Sequence, residues 1–282
     1  MTDSPVTLLS LNQQKTRNEP IVMVTAYDHP SARIADAAGV DMVLVGDSAA
    51  NVVLGYDSTI PVTVEELLML TRAVRRGVTR AFLVADLPFG SYEACDLDAV
   101  RVAQQFVKEG GAQAVKLERG GTSVDRARAI VAAGIPVVGH VGLTPQAATV
   151  LGGYRAQGRT AEAAAALIAD ALALQQAGCF AIVVEAVPAA VTELLATRLD
   201  CLTIGIGAGP ATDGQVLVWH DLLGITEGRL PKFVRRFAEV RVDLERGVSD
   251  YTQAVRDRAF PGPEHTYPIE DDQLQQLRTL LG

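Results

Sequence analysis

The chain of 282 residues is 49% hydrophobic and carries 33 acidic against 25 basic side chains, a formal net charge of −8. That acidic balance argues against nucleic acid or an anionic membrane surface as a partner and favours a small-molecule ligand. The length exceeds an ordinary domain yet suits an α/β barrel, which runs to about 250 residues as one unit, so one domain is expected.

The opening, MTDSPVTLLSLNQQKTRNEP, has no basic stretch leading into an apolar core, so it does not read as a signal peptide and predicts a short helix instead. Ile21 to Tyr27 then reads as a strand, and Asp28, His29 and Pro30 stop it and start a helix from Ser31 to Ala38. Gly39 closes that helix, and the step of helix, glycine, apolar strand and polar residue recurs in RIADAAGVDMVLVGD, QFVKEGGAQAVKLE, AIVAAGIPVVGH and ALQQAGCFAIVVE. Strands are predicted at 21–27, 41–46, 80–86, 112–118, 136–141, 179–185, 201–206 and 215–220. Eight of them alternating with helices predict a (β/α)8 TIM barrel with an N-terminal helix and a C-terminal helical extension. An open doubly wound sheet is the alternative, but the first strand-to-helix turn, Tyr27-Asp28-His29-Pro30-Ser31, lacks the glycine fingerprint that such sheets use for dinucleotides. GIGAG at Gly205 to Gly209 either holds a phosphate or lets a strand end make a close approach.

The Ala-rich run from Ala161 to Leu174 is interrupted by Glu162 and Asp170 and reads as a water-soluble helix, so no membrane span is expected. Cys95, Cys179 and Cys201 lack a paired spacing and read as reduced packing residues of a cytoplasmic protein. Two connections are long, 47–63 after the second strand and 143–159 after the fifth. Both lie where a barrel carries its catalytic loops, and both are expected to cover the site or to pack on a neighbouring subunit.

The strand ends carry the chemistry. Asp47 follows the second predicted strand, Asp86 ends the third, Lys116 and Glu118 the fourth, His140 the fifth and Glu185 the sixth, and barrel closure would bring these ends into one ring. Lys116 and Glu118 are two apart and share a face, which is inward if Val115 and Leu117 pack against the helices. Unpartnered ionisable groups in apolar strands would cost several kcal/mol each, so the set implies pairing, a metal or a substrate. Asp47, Asp86 and Glu118 are hard oxygen donors that suit Mg2+, while one histidine without clustered cysteines speaks against a zinc site. Lys116 would grip a substrate carboxylate or a developing oxyanion, or else pair with one of these acids. His140 would hydrogen-bond a carbonyl oxygen or serve as a satisfied core histidine. Glu185 lies among Ile182, Val183, Val184 and Ala186, where desolvation raises a carboxyl pKa and suits a general base or acid, with a structural role as the alternative.

The motifs VGDSAANVVLGYDSTIPVTVEEL, ADLPFGSY, AVKLE, GHVGLTPQ, GGYRAQGR, EAVP, IGIGAG and TDGQVLVWHDLLGI, in this order from Thr7 to His265, resemble the ketopantoate hydroxymethyltransferase family. The resemblance implies a Mg2+-dependent enzyme of pantothenate biosynthesis that moves a one-carbon unit from 5,10-methylenetetrahydrofolate to 3-methyl-2-oxobutanoate, assembled as a large homo-oligomer, typically a decamer. By matching motifs it implies metal ligands at Asp47, Asp86 and Glu118, substrate contacts at Asp47, Ser48, Asp86 and Lys116, and a proton acceptor at Glu185. The chain departs from the family pattern at Ala49 to Leu54, at Arg119 and in the tail from Tyr267. A Mg2+-dependent 2-oxo-acid aldolase or lyase working without folate would use the same acids.

Overall fold

A computed structural model describes residues 4–150, 152–228 and 230–282. Helix α1 (Leu8–Thr16) precedes strand β1 (Ile21–Thr25), and the chain then alternates through α2 (His29–Ala37), β2 (Met42–Val45), the one-turn α3 (Ala49–Val52), α4 (Val64–Gly77), β3 (Phe82–Asp86), α5 (Asp96–Lys108) and β4 (Ala114–Lys116). It continues through α6 (Ser123–Ala132), β5 (Val137–Gly142), α7 (Ala161–Gln176), β6 (Ala181–Glu185), α8 (Ala189–Ala196), β7 (Leu202–Ile206), β8 (Gly214–Leu217) and the four-residue α9 (Trp219–Leu222). Two further helices follow, α10 (Val240–Arg256) and α11 (Asp271–Leu281). All eight strands are parallel and close on themselves, with β8 hydrogen-bonded to β1.

Local chemistry explains the helix starts. Asp28 accepts the Ser31 N–H at 2.8 Å at the head of α2, and at the head of α4 Thr63 and Glu66 exchange side-chain and backbone hydrogen bonds. These reciprocal caps satisfy N–H groups that the helix itself leaves unpaired.

The alternation of side chains along each strand separates two apolar layers. Val43, Leu83, Val115, Leu117, Val137 and Ile182 face outward and join Leu67, Phe106 and Ile130 of the helices. Met23, Met42, Phe82, Ala114, Val183 and Ile204 fill the barrel, with Leu11 of α1 in the same cluster. Val115 and Leu117 therefore pack as expected. Along β3 the inward positions run Phe82, Val84, Asp86, and along β6 they run Ala181, Val183, Glu185, so the filling turns from hydrocarbon to polar toward the C-terminal ends of the strands.

Three features differ from the sequence expectations. The eighth strand stops at Leu217 and Trp219 opens a helix. Residues 207–213 cross from β7 to β8 without a helix, and the glycines of GIGAG serve this tight link: at Gly207, with φ +64°, a Cβ would stand 2.4 Å from the Phe233 ring. Cys95 is exposed at the head of α5 rather than packed, whereas Cys179 is buried beside β6. The long loop 47–63 includes α3, and 143–159 opens with a 3-10 turn at Pro145–Ala147; Leu151 within it lies outside the described residues.

Because β8 is followed only by the short α9, the outer wall beside β1 and β8 keeps an apolar cleft of about 370 Å³, lined by Val22, Val24, Ile34, Trp219, Leu222 and Phe237. Helix α10 has no buried residue, and Leu244, Val248, Tyr251 and Val255, spaced to share one face, are 54%, 67%, 59% and 43% exposed. Among the described residues no helix is long and apolar enough to cross a membrane.

Asp36, at the end of α2, fastens the entry to β3: its carboxylate accepts from the Thr79 and Arg80 N–H groups, from the Ala81 N–H at 2.7 Å and from the Thr79 hydroxyl at 2.6 Å. Partial burial pushes its pKa up, but these donors outweigh that and hold the carboxyl below its ordinary value. Asp36→Ala is expected to cost about 1–3 kcal/mol, read as a lower urea midpoint near neutral pH. A lowered folded pKa means that this contribution is complete above the unfolded carboxyl pKa and fades as pH falls through the folded value, so the gap between variant and parent should narrow in acid.

Candidate active site

The polar layer at the C-terminal end of the barrel gathers every site residue expected from the sequence. Asp86 ends β3 and stands in register with Lys116, the last residue of β4. Glu118 lies two residues farther on the same side, His140 is in β5, Glu185 ends β6, and Asp47 and Ser48 occupy the turn after β2. Asp47, Asp86, Lys116, Glu118 and His140 are at most 4% exposed, and Glu185 is partly buried. With Ser48 they line one cavity of about 390 Å³, whose outer part is bounded by Tyr154, Asp221 and Phe233.

Lys116 is the hub. Its ammonium is 3.1 Å from Asp86 Oδ1 and 3.7 Å from Glu118 Oε1, and it lies 3.3 Å from His140 Nδ1. The contact with Asp86 Oδ1 is an ion pair without hydrogen-bond alignment, since that buried oxygen has no well-directed donor. Lys116 thus forms the expected salt bridges to the acids and also lines the cavity.

Each acid also commits one oxygen to a fixed donor. Asp86 Oδ2 accepts the Asp47 N–H at 2.9 Å, Asp47 Oδ2 accepts the Gln146 side-chain amide at 3.0 Å, and Glu118 Oε2 accepts the Gln146 backbone N–H at 3.0 Å. His140 bridges two glutamates, with Nδ1 3.1 Å from Glu118 Oε1 and Nε2 3.2 Å from Glu185 Oε2. The second contact is close but off the hydrogen-bond line, so Nε2 lacks an aligned partner. Ser48 Oγ lies 2.8 Å from the hydroxyl of buried Tyr27.

Burial dominates the electrostatics. Desolvation pushes Asp47, Asp86 and Glu118 each up to about 7, against the lowering effect of Lys116. Desolvation lowers the pKa of Lys116 itself, yet the charges of Asp86, Glu118 and Asp47 more than offset it and keep the ammonium charged. His140 is driven down to about 4 by burial and then by Lys116, which leaves it neutral, and burial raises Glu185. Among the described residues no three acid, imidazole or thiol groups stand close enough to form a ready-made metal cluster, and Lys116 pairs with both Asp86 and Glu118.

Two residues of this network carry no assignment from sequence reasoning. Gln146 and Tyr92 lie within the GLTPQ and ADLPFGSY segments, but no spacing rule shows that either side chain turns back under the acids; the one available signal was their place in loops that follow strands five and three.

The chain matches the ketopantoate hydroxymethyltransferase family over residues 5–263. A 3-methyl-2-oxobutanoate hydroxymethyltransferase of Shouchella clausii is 50% identical over 265 residues, covering 94% of this chain and 95% of that protein. A mitochondrial 3-methyl-2-oxobutanoate hydroxymethyltransferase 1 of Oryza sativa is 52% identical over 267 residues, covering 93% of this chain and 73% of that one. Among solved structures, a phosphonopyruvate hydrolase in complex with oxalate and Mg++ superposes with a TM-score of 0.60 at 12% identity, over 100% of this chain and 96% of that one. A 2,3-dimethylmalate lyase of the PEP mutase/isocitrate lyase superfamily gives 0.58 at 16% identity, over 98% and 99% of the two chains. At such identities the superpositions speak for the barrel alone, whereas the sequence matches extend over nearly the whole chain, and on these the chain belongs to the ketopantoate hydroxymethyltransferase family.

Proposed function

We propose that the chain transfers a hydroxymethyl group from 5,10-methylenetetrahydrofolate to 3-methyl-2-oxobutanoate, giving 2-dehydropantoate, with Mg2+ held by Asp47, Asp86 and Glu118. The observation that carries this reading is the gathering of three buried carboxylates, each raised to about 7, around a single lysine at the barrel mouth. These residues fit the ion: the donors are all carboxylate oxygens, one ammonium offsets only part of their charge, and buried Asp86 Oδ1 lacks an aligned donor. When bound, Mg2+ supplies Lewis-acid polarisation of the oxo acid's carboxylate and ketone oxygens.

The protein's own groups then divide the work. Lys116 and Ser48 hold the substrate's oxygens. Glu185 takes the proton from C3, for which a carboxylate raised by burial is a better base than one in water. Nδ1 of neutral His140 lies between the Lys116 ammonium and Glu118 Oε1, and Nε2 faces Glu185. His140 would then steady both the base and the carbonyl oxygen. The aldolase or lyase reading is not favoured, since relatives of about half identity carry the hydroxymethyltransferase name. Three free cysteines support a cytoplasmic setting. Assembly as a homo-oligomer, a decamer by family likeness, is supported by the apolar stripe of α10 and the uncovered cleft beside β1 and β8.

Glu185→Gln is expected to slow deuterium exchange at C3 of 3-methyl-2-oxobutanoate by about 10²–10⁴-fold, followed by NMR in D2O, while oxo-acid binding stays within about threefold; unchanged exchange would remove Glu185 from the role. Turnover should require methylenetetrahydrofolate, and product formed from formaldehyde alone at a comparable rate would favour a lyase. Sedimentation should give a mass several times 29.9 kDa, with ten copies expected; a monomer at micromolar concentration would contradict the assembly.

A further inference from the structure

Gln146 touches two of the proposed metal-holding acids at once, and its own orientation is fully determined. Its side-chain nitrogen is 3.0 Å from Asp47 Oδ2 and 3.0 Å from the Leu87 carbonyl oxygen. The Leu87 carbonyl oxygen can only accept, so the atom it meets is the NH2 group and the amide oxygen must point the other way. There it accepts from the Tyr92 hydroxyl at 2.7 Å. Tyr92, its one hydroxyl proton committed to Gln146, accepts in turn from the Glu118 N–H at 3.2 Å. The Gln146 backbone N–H meets Glu118 Oε2, so the root of the loop after β5 is tied to the strand-four acid as its side chain is tied to the strand-two acid. Tyr92 and Gln146 are 1% and 5% exposed, and a chain of satisfied hydrogen bonds in such a place has little freedom to rearrange.

We propose that Gln146, locked by Tyr92, is a positioning residue that presets Asp47 and Glu118 for Mg2+ and couples their placement to the loop that begins at Leu143. The inference rests on the metal reading of the preceding section. A reversed amide would aim its oxygen at Asp47 and repel it, so the role of Tyr92 is to forbid that reversal. An outer partner of this kind sets the rotamer of a ligating carboxylate without touching the ion.

The test is calorimetric titration of MgCl2, without substrate, into the parent protein and into Gln146→Met, Tyr92→Phe, the double variant and Asp86→Asn. Gln146→Met keeps side-chain length and removes both amide atoms, and is expected to weaken Mg2+ by about 10–100-fold. Tyr92→Phe should weaken it by a smaller factor, and the double variant should match Gln146→Met closely, because Tyr92 acts through the amide. In turnover, both should lower kcat more than they raise KM for folate. Mg2+ affinity for Gln146→Met within about twofold of the parent, with Asp86→Asn abolishing binding in the same titration, would overturn the inference and leave the metal reading standing. Asp86→Asn binding like the parent would overturn the metal reading and this inference with it. If Gln146→Met does not fold, Tyr92→Phe decides: unchanged affinity counts against the proposal and a loss of about threefold or more supports it.

Discussion

Lys116 carries one positive charge into a space that also holds the carboxylates of Asp86, Glu118 and Asp47, and the barrel mouth depends on that imbalance. Removed from water, a carboxylate gives up several kcal/mol of hydration unless something nearby replaces it. One ammonium among three acids replaces it only in part, which is why all three pKa values stand near 7 while the lysine stays charged. The same deficit is what the proposed divalent cation and oxo acid would relieve. Neutral His140 stands between the lysine and Glu185 without adding a second charge.

The scaffold makes such a concentration of charge tolerable by surrounding it with rigid apolar layers. The barrel interior is hydrocarbon up to Val84, Ala114 and Val183 and polar just beyond, at Asp86, Lys116 and Glu185. Parallel strands in register hold these ends at fixed heights, so that Asp86 faces Lys116 across β3 and β4. A close approach also matters between β5 and β6: Gly142, with φ +96°, lets the Glu185 carbonyl come where a Cβ would stand 2.2 Å away. The backbone that carries Glu185 is thereby pressed against the strand that carries His140.

On the other side of the molecule the fold is left incomplete. A barrel of this class normally covers each strand with the helix that follows, yet the β7 to β8 link is seven residues without a helix and β8 leads only into a four-residue turn of helix. The uncovered wall is apolar, and so is the free stripe on α10. Surfaces of this kind within one chain are suited to contacts between chains rather than to solvent.

The sequence by itself determined the order of strands and helices, the closed barrel they imply and the identities of Asp47, Asp86, Lys116, Glu118, His140 and Glu185, because the signals involved are local: a period of two, helix caps, and a polar residue after an apolar run. It did not disclose that Cys95 is exposed, since a cysteine at a helix head obeys no periodicity. Only the tertiary structure decided that Lys116 sits between Asp86 and Glu118, that Gln146 reaches Asp47 across 99 residues of chain, and that Tyr92 orients Gln146 across 54. Such contacts exist only after the barrel closes, and a side chain's hydrogen-bond partner is set by that closure and not by its neighbours in sequence.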